Sequence, residues 1–98
     1  DTANSLNNLG GLLHALGQSE EAMPYIERAY QIRLNALGNA HPDTAHSLWW
    51  LGSMAEGQGQ IEAARRAYTQ AHAIYQRALG TDHPTTKQVF GFLDRLNQ

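Results

Sequence analysis

The chain has 98 residues, 42% of them hydrophobic and 16% charged, and a formal net charge of −2. That length makes one small domain, and so even a charge balance supplies neither a basic field for nucleic acid nor an acidic tail. There is no cysteine, no secretory signal and no apolar run near the ~20 residues that cross a bilayer, so disulfide chemistry and a membrane span are set aside and a cytoplasmic setting is expected.

A first helix is predicted over 2–16, where Leu6, Leu9, Gly10 and Leu13 recur at helical spacing until Gly17 ends the run. Ser19 reads as the N-cap of a second helix over 19–38, with Glu20 and Glu21 suited to its positive end. Ala22, Ile26, Ala29 and Ile32 form its apolar face, Pro24 costs it one backbone bond, and Gly38 closes it. A third helix over 43–57 carries Leu48, Leu51, Gly52 and Ala55, and Gly57 is expected to loosen its end. The fourth, over 61–80, repeats the second with Ala64, Tyr68, Ala71 and Ile74. "HP" stands before the third helix and again before a fifth over 84–97, placing proline in a first turn where a missing N–H costs nothing.

The chain is a repeat. Residues 1–42 align without a gap on 43–84, with 18 of 42 positions identical, and a partial third copy starts at Thr85. The predicted fold is therefore all-α, a single domain of two helix–turn–helix units (1–42 and 43–84) and a last helix (85–98). In that helix Val89, Phe92, Leu93 and Leu96 cluster toward the preceding one. Asp94 and Asn97 replace the Gly and Leu/Ala of the earlier units, which reads as a polar cap.

L-x-x-L-G-x-x-L followed by A-x-x-x-I resembles the tetratricopeptide repeat, usually about 34 residues long. The longer period, with "SLNNLG", "EEAMPYIERAYQIR" and "ALGNAHPDTA", is similar to the variant found in kinesin light chains and many bacterial proteins. The resemblance implies stacking in a right-handed superhelix and a concave surface, lined by the first helix of each unit, that receives peptides.

"HSLWWLG" (46–52) places two tryptophans side by side in the third helix. Neighbours on a helix point about 100° apart, so both cannot share one narrow stripe. Leu48, Leu51, Gly52 and Ala55 form the stripe that meets the unit's second helix, and His46, Trp49, Trp50 and Ser53 lie on the opposite face. Asn4, Asn7 and Asn8 take the matching places in the first unit, and Gln88, Phe92 and Arg95 in the last. The resemblance puts these ten residues in or beside the groove, with Asn8 where the family often holds ligand backbone and Arg95 able to pair with a ligand carboxylate. One tryptophan is expected to fill a seam between units and the other to meet a partner.

Catalytic chemistry finds little support. G-x-S-x-G, a phosphate loop and H-E-x-x-H are all absent. His41 and His83 are equivalent residues of the "HP" turns, and His14, His46 and His72 lack the i, i+4 pairing of a zinc helix. The reading is a non-enzymatic module without cofactor or metal that binds a protein or peptide, not nucleic acid or membrane. The alternative is an assembly segment whose ends stack on further repeats or on copies of itself, as a homo-oligomer or by helix exchange.

Overall fold

Each unit folds as a helical hairpin because apolar residues at helical spacing alternate with glycines that break it. The computed structural model describes residues 2–97. It contains α1 (Thr2–Ala15), α2 (Ser19–Leu37), α3 (Pro42–Gly57), α4 (Ile61–Leu79) and α5 (Pro84–Leu96), each within a residue of its predicted bounds, and no strand among the described residues. Each helix packs on its neighbours in sequence, and α1 also touches α3. The result is an all-α repeat solenoid, a slab of 33 × 32 × 19 Å that is two helices thick.

The turns repeat their chemistry. Gly17 and Gly59 take φ of 81° and 79°, the left-handed conformation that lets a chain leave a helix. Gln18 then donates to the Leu13 carbonyl at 2.8 Å, and Gln60 to that of Ala55 at 2.9 Å. The "HP" histidines are caps: the backbone N–H of Asp43 donates to His41 Nδ1, and that of Thr85 to His83 Nδ1, both at 3.1 Å.

One local expectation needs correction. Ser19 is the first residue of α2 rather than its N-cap, and its hydroxyl is 2.7 Å from His14 Nδ1, tying the end of α1 to the start of α2. Helix α2 runs unbroken through Pro24, whose ring is exposed. Gly57 is the last residue of α3, at the predicted bound.

Within each hairpin a glycine sets the approach of the two helices. A Cβ on Gly10 would lie 2.5 Å from Ile26 Cδ1, and one on Gly52 would lie 2.8 Å from the Tyr68 ring. Ile26 and Tyr68 are both fully buried. Around these crossings lie three apolar clusters, one centred on Ala45, Leu48, Ala71, Ile74 and Val89, one on Ala22, Ile26 and Met54, and one on Ala55, Ala64 and Tyr68. As the spacing predicts, Val89, Phe92, Leu93 and Leu96 of α5 turn toward these clusters. The ends are less covered: Leu9 and Leu12 of α1, Leu16 in the turn after it, and Phe90 of α5 are exposed.

The crossings and one open helix position make a paired prediction. Gly52→Ala should lower stability by about 1–3 kcal/mol, since the enclosed Tyr68 ring has nowhere to move. Gly91 lies inside α5 with nothing within 4 Å of an added Cβ, so Gly91→Ala should gain about 0.5–1 kcal/mol from helix propensity alone. Urea denaturation followed by circular dichroism measures both.

Candidate binding face on the first helices

The residues predicted for the groove come from α1, α3 and α5, and neighbouring wheel positions on these helices look toward opposite neighbours. Trp50 looks back to α1, where its ring lies 3.4 Å from the place of a Cβ on Gly11 and edge-on to His14, with centroids 6.0 Å apart. Trp49 looks forward to α5 and meets Phe92 edge-on at 5.8 Å. The two indoles touch each other at 4.9 Å, edge to face. Both tryptophans are half-buried, so the seam role expected of one is taken by both: each fills a different seam and shows an edge outside.

His46 sits over the pair. Its ring is parallel to Trp49, and its Nε2 accepts a hydrogen bond of 3.1 Å from the Trp50 indole N–H. Burial, followed by the Arg33 charge, lowers its pKa below the usual 6.5, against a smaller opposing effect of Asp43. The neutral ring is the form that can accept this bond.

The equivalent places on α1 behave differently. Asn7, expected in the groove, is buried in the seam, because the position equivalent to Trp49 looks forward to the next unit. Its amide oxygen accepts from Arg33 at 3.3 Å and from the Ser47 hydroxyl at 3.1 Å. Arg33 also donates to Ser47 at 3.0 Å, to the Asp43 carbonyl at 3.1 Å and to Asn4 Oδ1 at 2.6 Å. Asn4 is thus exposed but engaged, while Asn8, at the backward-looking position of the first helix, lies exposed.

Arg33 itself was not foreseen. Its signal is the spacing Ala22, Ile26, Ala29, Arg33, which continues the buried face of α2 by one more step. A guanidinium there is satisfied by four neutral oxygens, with no ion pair among the described residues.

On α5, Phe92 stacks on Tyr68 at 5.6 Å and carries Arg95 over its ring at 5.3 Å. Arg95, expected to meet a ligand carboxylate, pairs instead with Glu56 at 2.8 Å. The Tyr68 hydroxyl donates to the same carboxylate at 3.1 Å, and burial with this neighbour pushes its pKa up. Ser53 lies half-buried beside that hydroxyl.

Between α3 and α5 the face opens into a cleft of about 260 Å³ lined by His46, Trp49, Tyr75, Thr85, Gln88 and Val89. Tyr75 forms its buried base, and burial holds its phenol neutral with a pKa pushed up to about 12. Thus His46, Trp49 and Gln88 are brought to one opening; Trp50 and Phe92 flank it as part of the aromatic chain. Among the described residues no group of three or more His, Asp or Glu could hold a metal ion, and no helix is long and apolar enough to cross a membrane.

Set beside known proteins, residues 1–77 match the tetratricopeptide repeat family model. No curated protein matches the chain.

The His46–Trp50 bond is readable by fluorescence. Protonation removes the acceptor, so tryptophan emission should change with a midpoint below pH 6.5, and His46→Gln should abolish the step. Because the unfolded histidine binds its proton more tightly, stability should rise with pH up to about 6.5 and be lost as pH falls from there through the folded value.

Proposed function

We infer what this chain does from the family it belongs to, the tetratricopeptide repeat family, and from the face its first helices leave open. The family is one of protein–protein interaction modules, generally non-enzymatic. The finer reading is a module that binds an extended peptide segment along α1, α3 and α5, with an apolar side chain anchored in the cleft between Trp49 and Val89.

The cleft is the observation that carries this reading. Its base of Tyr75 and Val89 is apolar, its rim carries the exposed His46 and Gln88, and a half-buried indole forms one wall. An apolar anchor gains by leaving water there, while the Gln88 and Asn8 amides can hold peptide backbone groups. The groove thus comprises His46, Trp49, Trp50, Gln88, Phe92 and Asn8, with Asn4 and Ser53 at its margins. Asn7 and Arg95 are occupied within the fold. On α5, Asp94 and Asn97 are exposed.

A second reading, self-assembly through the first helix, is favoured by one observation: Leu12 of α1 and Leu16 in the turn after it are 58% and 66% exposed. Light scattering separates the two, since Leu12→Glu should dissolve such an assembly and leave peptide binding intact.

The groove is tested with a random peptide library displayed on phage and selected on the purified chain. Selected peptides should shift tryptophan emission. Gln88→Ala should weaken them several-fold while leaving the melting temperature nearly unchanged, because its side chain is exposed, and His46→Ala should weaken them while also removing the Trp50 hydrogen bond from the fold. Trp49→Ala should lower affinity and melting temperature together. Selected peptides that ignore all three substitutions and leave the fluorescence unaltered would remove this face as the site.

A further inference from the structure

His46 stands at the mouth of the aromatic cleft, and its neighbours fix its ring. The ring lies parallel to Trp49, with an interplanar angle of 2° and centroids 6.3 Å apart. It meets Trp50 edge-on at 6.2 Å, and its Nε2 is 3.1 Å from the indole nitrogen. Both indoles are themselves held in seams, Trp49 against Phe92 and Trp50 against Gly11. An exposed imidazole is usually free to turn; this one is clamped.

The bond to Trp50 also decides where the imidazole carries its proton. An indole nitrogen can only donate, so Nε2 must present its lone pair, and the neutral ring then has its one hydrogen on Nδ1. Burial, followed by the Arg33 charge, lowers the pKa of His46, so this neutral form prevails at about pH 7.5. The side chain is exposed, and no described residue accepts from Nδ1. What remains at the rim is a donor fixed in place and in polarity.

His46 belongs to a row. A shift of 42 residues turns it into Asn4 in one direction and Gln88 in the other. Asn4 gives its oxygen to Arg33 at 2.6 Å, and Gln88 lines the cleft from α5. A primary amide offers both a donor and an acceptor and serves either polarity by turning over. The imidazole has its acceptor occupied, so it offers a ligand a donor and nothing else. An extended peptide with an apolar side chain between Trp49 and Val89 carries its main-chain groups along this row.

We propose, on the reading that the cleft takes a peptide, that His46 reads its backbone: Nδ1–H donates to one main-chain carbonyl beside the apolar anchor. Trp50 is the positioning residue that holds the ring in the tautomer able to do so. Polarity is thereby fixed on one side of the cleft. The peptide must set an acceptor rather than an N–H against α3, while the Gln88 amide on α5 turns to suit.

Long-range 1H–15N NMR of the free chain at about pH 7.5 should show His46 protonated on Nδ1, and Trp50→Phe should let the Nε2-protonated tautomer appear. A native ring protonated on Nε2 would overturn the proposal before any peptide is added. The second measurement takes peptides selected by phage display on the purified chain and replaces each amide in turn by a thioamide, whose sulfur accepts more weakly. One position beside the anchor should lose about three- to tenfold in affinity, as suits one hydrogen bond between neutral groups. His46→Asn sets an amide N–H near the place of Nδ1–H and should keep that penalty. His46→Gln sets an oxygen near the place of Nε2, still accepts from Trp50, and should erase it. No sensitive position, or a penalty that the two variants treat alike, would overturn the donor role, while peptides that still shift tryptophan emission leave the groove standing. Selection that yields no peptide engaging this face removes groove and donor together.

Discussion

Two backbone approaches hold this small domain together. At Gly10 and Gly52 the first helix of each unit has no side chain, and Ile26 or Tyr68 of the second helix rests against its backbone. That contact fixes how far apart the helices of a hairpin lie and where they cross. Once the crossing is fixed, the direction of every other residue on the first helix follows: one edge is turned to the previous unit, the other to the next, and the face between them outward. The two tryptophans are intelligible in these terms. Adjacent residues separated by about 100° straddle the outward face, so each indole enters a different seam and both keep an edge outside.

How much of this could be read from the residues depends on distance along the chain. The hairpins were legible because their signals are local: apolar residues at helical spacing, left-handed glycines, and proline in a first turn. The repeat itself made α5 legible as one more first helix. What escaped was chemistry between units. A helical wheel locates a residue relative to its own partner helix but does not say which neighbouring unit stands opposite, so Asn7 and Asn8 looked alike although one is sealed in a seam and the other is exposed. Arg33 meets Asn7 across 26 residues and Ser47 across 14, and no local pattern announces that pairing. Arg95 was free on the wheel but finds Glu56, 39 residues away. In the candidate site, then, His46, Trp49 and Gln88 share an opening as their positions suggested, while Tyr75, its base, comes from the layer behind and was missed.

The electrostatics of the outward face follow from the same arrangement. Arg33 is enclosed by neutral oxygens, and Arg95 and Glu56 neutralise one another across the α3–α5 seam. Between them lie histidine, two indoles and amides. A face of this composition selects by shape and by hydrogen bonds rather than by long-range charge, so association with a partner at this face should depend only weakly on salt.

The seam around Arg33 has a counterpart that differs at every place. Where the first seam sets Arg33 against Ser47, Asn7 and Asn4, the second sets Tyr75 against Val89, Trp49 and His46, the residues 42 positions further on. One junction is polar and hydrogen-bonded, and the other is aromatic and apolar. This matters for a chain whose halves are nearly half identical, because such halves are apt to pair in the wrong order while folding. A slip that stacked the first unit on α5 would keep Asn4 and Asn7 beside the guanidinium but set it against Val89 in place of the Ser47 hydroxyl. The two junctions act as a key and its ward: the repeats share a fold, but their order along the array is written into side chains that fit only one neighbour.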